Sequence, residues 1–451
     1  MRLHLHFKNY ILLLGVLWLE TGALQAQEKK LLTIDSLFAL AEKNSKQIGI
    51  AREQAAISAQ VTAIARSERL PEINMGASLG YLSNAEVWDK HFHQPETVIM
   101  PHVSNSFSLD ASMTIFGGNV LTQQIEKAKL GEQLSHLDFQ KSKEDIQLLL
   151  LARYLDLFTL FNQEKIYGQN IALANSRLRN IIKLHKEGMV TNNDVIRSQL
   201  QLTDLKLRQT EITNHITIVN KDLAVILGLP DDTRIQVDTS LYKREFEDSP
   251  LQDYLDLRLS HSPELQAAKV REKIASKEVR LARAEKLPRL SVFAGDEVQR
   301  PFLYSIPPMD IYMHMFQTGL RLRYNLSSLY HAKYRIRKAE QQAHLAETQK
   351  DWELQRSEME IHEAYIKFKE ARDTYNTLNE SYNLARDNYR VMEKKYLNQL
   401  AVMTDILDAS TQLLSSQLNL SNARINIIYR WYNLKKVSGN LEDTLANDTS
   451  K

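Results

Sequence analysis

The chain has 451 residues, 43% hydrophobic and 25% charged, with 57 basic residues against 55 acidic and a formal net charge of +2. That balance excludes broad disorder and supplies no basic field for nucleic acid. The lack of cysteine excludes disulfides, thiolate catalysis and cysteine-ligated zinc, and 14 Gly with 10 Pro are few breaks for such a length, which favours long helices.

The first 26 residues read as a secretory signal. Arg2 and Lys8 precede an apolar run from Tyr10 to Leu19, and small residues follow at Gly22, Ala23 and Ala26. The run is about half the length a spanning helix needs, so cleavage is expected after Ala26. No later segment reaches spanning length. A crossing of a membrane would have to be made with strands.

The remainder is one unit written twice. Ala65-Arg66-Ser67-Glu68-Arg69-Leu70-Pro71 returns as Ala282-Arg283-Ala284-Glu285-Lys286-Leu287-Pro288, at an offset of 217. A second register, at an offset of 211, pairs Ile125 with Ile336, Tyr154 with Tyr365, Asp194 with Asp405 and Gly228 with Gly439. The predicted domains are residues 27–228, a linker at 229–249, residues 250–439 and a polar tail at 440–451.

Each unit opens with a helix, over about 34–67 and about 250–285, that stops before a Leu-Pro. Proline removes a donor and pushes the preceding residue toward extended geometry, so Pro71 and Pro288 mark a switch from helix to strand. Strands are predicted at about 72–84 and 105–117, then at about 289–299 and 314–326. Ile73, Met75, Ala77, Leu79 and Tyr81 alternate with Asn74, Gly76, Ser78 and Gly80. Phe107, Leu109, Ala111, Met113 and Ile115 alternate with polar residues in the same way, as do Phe316, Leu320, Leu322 and Tyr324. A period of two puts one face on an apolar medium and the other on water. Four strands cannot close a barrel, and open edges are not tolerated in lipid. If these strands span a membrane, the chain must oligomerise.

A very long helix follows in each unit, over about 119–186 and about 328–397, and each is about 100 Å long. Ile361, Ala364, Phe368, Ala371, Tyr375, Leu378, Tyr382, Ala385, Tyr389, Met392 and Tyr396 form a seam with alternating spacings of three and four. Ile406, Ala409, Leu413, Ser416, Leu420, Ala423 and Ile427 repeat it on the next helix. Between the helices lie two short turns, Lys186 to Asp194 and Asn398 to Asp405. Gly188 suits a left-handed helix end, and Thr and Asn suit a cap.

This order resembles the TolC-like outer-membrane efflux proteins. The resemblance covers residues from about 31 to 440 and rests on the two Leu-Pro switches, Ile115-Phe116-Gly117-Gly118, the turn from Gly188 to Asp194, and Thr404-Asp405-Ile406-Leu407-Asp408-Ala409-Ser410-Thr411. It implies a mainly α chain with a β-barrel part. It implies a homotrimer whose twelve strands form an outer-membrane barrel continued by a helical periplasmic tunnel, with residues 229–249 at its equator. Gly117 and Gly118 join Pro71 and Pro288 as helix-to-strand switches. The family's periplasmic gate falls on Tyr396, Asp405, Asp408 and Asp194. Adaptor contacts fall on the hairpin tips, at Gly188, Met189, Val190, Leu400, Ala401 and Val402. The implied partners are outer-membrane lipid, a periplasmic adaptor and an inner-membrane pump of RND or ABC type. Asp405 and Asp408 lie three apart on one helix face, so three chains would present a ring of six carboxylates that favours cations. The second tip departs from the pattern. Its glycine is replaced around Asn398 and Gln399, a basic gate position carries Ala401, and Asn325-Leu326-Ser327-Ser328 lacks the glycine pair.

The alternative is a soluble periplasmic coiled-coil scaffold, which accounts for the heptads but not for the strands or the signal. No Walker loop, nucleophile elbow, HExxH or Rossmann glycine set is present, so the reading is of a passage and not an enzyme, without cofactors. His91, His93, Met100 and His102, and Met309, Met313, His314 and Met315, have the donor types that suit copper or silver. Their placement in loops past the end of transport favours exposed loop residues over a metal site.

Overall fold

The computed structural model describes residues 29–246 and 249–441. The signal expected at 1–26 and the tail beyond residue 441 lie outside the described residues. In chain order, β1 (Lys29–Leu32) leads to α1 (Ile34–Asn44) and α2 (Lys46–Ser67). Strands β2 (Glu72–Tyr81), β3 (Ala85–Val87), β4 (Glu96–Val98) and β5 (Val103–Phe116) follow, then α3 (Val120–Lys186) and α4 (Asn192–Ile226). After β6 (Arg234–Val237) come α5 (Leu251–His261), α6 (Pro263–Ala284), β7 (Arg289–Arg300), β8 (Met313–Arg323), α7 (Ser328–Leu397) and α8 (Met403–Val437).

The opening helix of each sequence repeat is divided, contrary to expectation. Ser45 separates α1 from α2 and Ser262 separates α5 from α6, both in extended backbone with ψ of 121° and 118°. At Ser262 the reason is local. Pro263 at the first helical position has no N–H, and the Ser262 hydroxyl accepts the Leu265 N–H at 3.3 Å. Helical periodicity continues across both serines, so the period alone does not reveal the break.

The chain forms two compact units. Of the described residues, one takes those up to Gly49, those within Glu144–Tyr254 and those from Ile361 onward. Its helices α3, α4, α7 and α8 pack through the heptad seam, and Ile361, Ala364, Phe368, Ala371, Ala385, Tyr389 and Tyr396 are all buried. Ile406, Ala409, Leu413, Ser416 and Ala423 are buried on α8. In the same unit β1 pairs in parallel with β6, joining Leu32 to Val237. The pairing was not expected, because four-residue strands carry no readable period. Tyr154 locks it: its hydroxyl donates to the Leu32 carbonyl at 2.6 Å and accepts the Asp238 N–H at 2.7 Å. Asn220 holds the other side, donating to the Thr233 carbonyl at 2.9 Å and accepting the Ile235 N–H at 2.8 Å.

The second unit takes Ile50–Lys143 and Leu255–Glu360. Its sheet runs β2-β5-β7-β8, with every neighbouring pair antiparallel. Its helices are joined by ion pairs, Arg271 to Asp138 at 3.1 Å and Lys350 to Glu272 at 3.0 Å, and by Lys277 to Glu126. The Lys277 ammonium, bonded to Glu126, holds that carboxyl below the usual carboxylate range. Leu137, Ala267 and Val270 form the small apolar cluster between α3 and α6. A further unexpected hairpin, β3 with β4, lies in the loop that carries His91 and His93. Among the described residues no helix is long and apolar enough to cross a membrane.

Candidate functional site

Two places carry the residues singled out from the sequence, the helical hairpin tips and the sheet with its helix junctions. At the first tip α3 ends with Gly188 at φ 72°. The Gly188 N–H donates to the His185 carbonyl at 3.0 Å and the Met189 N–H to the Leu184 carbonyl at 2.9 Å, which closes the helix end with a Schellman pair. Thr191 then caps α4. Its hydroxyl accepts the Asp194 N–H at 3.3 Å, and Asp194 Oδ2 accepts the Thr191 N–H at 2.9 Å.

The second tip repeats this with other residues. Gln399 takes φ 61°, its N–H donates to the Tyr396 carbonyl at 3.0 Å, and the Leu400 N–H donates to the Lys395 carbonyl at 2.8 Å. Asp405 Oδ2 accepts the Val402 N–H at 3.2 Å, but valine has no side-chain acceptor, so only half of the capping box exists.

The predicted gate residues therefore occupy different environments. Asp405 and Asp408 are exposed on one face of α8. Tyr396 is buried in the cluster of Ile181, Val195, Met403 and Ile406. Its hydroxyl has no hydrogen-bond partner in the described structure. Burial, with the Asp194 carboxylate adding to it, raises its pKa above the ordinary tyrosine value. Tyr396 and Asp194, from different halves of the chain, are thus brought together. Of the predicted adaptor contacts, Val190 and Ala401 pack inward on the same cluster, while Met189, Leu400 and Val402 present apolar side chains outward.

The sequence reading missed Arg177. It is only 8% exposed. Its guanidinium donates to Gln201 Oε1 at 3.0 Å, Ser410 Oγ at 3.0 Å and the Tyr389 hydroxyl at 3.4 Å, joining four helices through neutral partners. Asn170, Ala174, Arg177 and Ile181 follow the heptad spacing on α3, and that spacing was the available signal.

At the helix–strand junction, Pro71 and Pro288 precede β2 and β7 directly. Gly118 has φ 66°, and a Cβ there would lie 2.7 Å from Leu287 Cδ1 and 3.2 Å from its Cβ, so glycine is favoured at 118 both by the backbone and by the packing of Leu287. Gly117 carries no such constraint. The sheet register places Ile73 opposite Ala111, Met75 opposite Leu109 and Ala77 opposite Phe107. This apolar face is bare: Met75 is 85% exposed, Leu79 80% and Leu322 69%. Both outer strands, β2 and β8, have an unpaired edge.

No group of three or more metal-ligating side chains is present among the described residues. In the loop the His91 and His93 rings lie 6.1 Å apart. On the sheet His314 bonds Asp296 at 2.5 Å.

Residues 254–440 match the family described as outer membrane efflux protein. No curated protein sequence matches the chain. Solved structures share the fold. The outer membrane protein VceC of Vibrio cholerae aligns with a TM-score of 0.72 at 16% identity, over 90% of this chain and 96% of its own. The CmeC outer membrane channel of Campylobacter jejuni aligns at 0.74 and 16%, over 92% and 88%. The MtrE outer membrane channel of Neisseria gonorrhoeae aligns at 0.65 and 15%, over 90% and 89%. The resemblance read from the residues holds, and the fold is that of the TolC-like outer-membrane channels.

Proposed function

We propose that this protein is the outer-membrane exit duct of a tripartite efflux or type I secretion system, a passive gated channel and not a catalyst. The observation that carries the reading is the four-stranded sheet with one bare apolar face and two unpaired edges. An apolar sheet face of this size in water is unfavourable, and unpaired strand edges invite pairing with another chain. A closed barrel in lipid resolves both. Each β8 edge pairs with the β2 edge of the next copy, and the apolar faces meet acyl chains. Three copies give twelve strands, the number the family resemblance supplies.

In this reading the paired long helices continue the passage into the periplasm, and the hairpin tips form its closable end. Asp405, Asp408, Asp194 and Tyr396 line the gate, while Met189, Leu400 and Val402 meet a periplasmic adaptor, through which an RND or ABC pump delivers cargo. The two sequence halves supply equivalent parts of one protomer, and the protein reaches the outer membrane after removal of a signal peptide. A soluble periplasmic coiled-coil scaffold is disfavoured by the same sheet.

The test is fractionation and reconstitution of the full chain. The expected result is outer-membrane recovery, an oligomer that requires detergent, and conductance in planar bilayers. A fully soluble monomer without conductance overturns the reading.

A further inference from the structure

The sheet's second face sorts its charges by row. β7 and β8 place Arg289 directly opposite Arg323 and Ser291 opposite Arg321, at the end of the sheet that joins the helices. These positions alternate with Leu290, Val292, Leu320 and Leu322 of the apolar face, so all three arginines stand on the polar face. Arg321 lies over the Phe293 ring, 4.5 Å from its centroid, which holds its guanidinium against the sheet. Gly319 opposite Phe293 leaves room for that ring: a Cβ there would lie 3.3 Å from it.

The acids of the same face lie further along. Glu72 shares a row with Ser112 and Phe293, Asp110 sits over Gly295, and Glu297 faces Met315. Along the strands from the Ser291 row, the Glu72 row is about 7 Å away, the Asp110 row about 13 Å and the Glu297 row about 20 Å. The arginines therefore sit apart from most of the acid on their own face. Arg289 also lines, with Arg69, a cavity of about 420 Å³ at the start of α3, walled by Thr114, Gly117 and Asn119. Among the described residues none of Arg69, Arg289, Arg321 and Arg323 is ion-paired. Nearby helix arginines of the same unit are paired, Arg283 with Glu340 at 2.8 Å and Arg335 with Glu285 at 2.7 Å.

We propose that Arg289, Arg321 and Arg323, with Arg69 at the adjoining cavity, form an anion-binding collar on the polar face of the barrel sheet. It takes phosphate or carboxylate groups of the permeating solute at the helical mouth of the barrel. The inference rests on the duct reading, which makes the polar face the lumen. Guanidinium forks match the oxygens of such groups, and the low-dielectric wall around a narrow aqueous lumen focuses the attraction. The collar has the opposite sign to the acidic tips, so a permeant anion would meet a favourable site only after passing them.

The test uses full-length protein in planar bilayers, with Arg289→Gln/Arg321→Gln/Arg323→Gln and the matching triple Lys variant. In a potassium chloride gradient, the Gln variant should raise the potassium-to-chloride permeability ratio about twofold or more. Inorganic tripolyphosphate should block the wild type at a concentration about tenfold lower than it blocks the Gln variant. The Lys variant should keep the block. Unchanged selectivity and block in the Gln variant overturn the collar while leaving the duct intact. Absence of conductance in every preparation overturns the duct and the collar with it. Calorimetric titration of the solubilised wild type with tripolyphosphate gives a second readout independent of variant folding, and no binding there also overturns the collar.

Discussion

Gln399 carries the second hairpin through the left-handed backbone conformation, φ 61°, that Gly188 holds at φ 72° in the first. The two turns close with the same pair of backbone bonds, from Met189 to Leu184 and from Leu400 to Lys395. An L side chain in this region costs about 1–2 kcal/mol, partly offset because glycine loses more entropy on folding. Gly188→Gln should therefore lower stability by about 1 kcal/mol, and Gln399→Gly should raise it by less than that. The thermal midpoint of the solubilised protein reads both, and equal shifts of one sign would refute the assignment.

The same two tips differ at the cap. Thr191 supplies a hydroxyl to the Asp194 N–H, whereas Val402 supplies nothing to the Asp405 N–H. Val402→Thr should stabilise by about 1 kcal/mol and Thr191→Val should destabilise by a similar amount. Protease cleavage at the tips should follow the same order, slowed by the first change and hastened by the second.

Asp405 and Asp408 are exposed on one face of α8, with only one Asp405 oxygen engaged by the Val402 N–H. In a trimeric gate their charges would add. Asp405→Asn with Asp408→Asn should raise conductance or reduce cation selectivity in planar bilayers. Unchanged currents would remove the carboxylate ring from the gate.

Tyr154 makes an alkaline limit. Burial raises its pKa above the ordinary tyrosine value, so the folded protein keeps a proton that the unfolded chain releases above about pH 10. Between those two values the native state binds more protons, and stability falls as pH rises. Tyr154→Phe should lose about 2 kcal/mol at neutral pH, from the bonds to Leu32 and Asp238, and should show a shallower decline above pH 10. Parallel decline in both proteins would contradict this.

Arg177 is a buried charge of the hairpin unit. Ser410→Ala removes a partner of a guanidinium that already has an unsatisfied Nε, and should destabilise by about 2 kcal/mol. Arg177→Met, which removes the charge and keeps much of the volume, should be milder than that loss combined with Tyr389→Phe. Midpoints from chemical denaturation decide it, and a silent Ser410→Ala would show that the node does not hold the helices.

The sequence by itself determined what repeats over short distances. The heptad from Ile361 to Tyr396, the alternation from Ile73 to Tyr81 and the switches at Pro71 and Pro288 are local patterns, because side-chain direction follows from backbone period alone. The acidic tips were legible for the same reason, from Asp405 and Asp408 at helical spacing. Tertiary structure decided what depends on which distant segments meet. Leu32 finds Val237 through the Tyr154 hydroxyl, Arg177 is drawn into a seam shared by four helices, and Tyr396 lies beside Asp194. Arg289 comes to face Arg323 only through the register of β7 on β8, and a slip of one residue would have turned one strand over and put the two arginines on opposite faces. No local period encodes such a meeting, since it depends on the packing of residues tens or hundreds of positions apart.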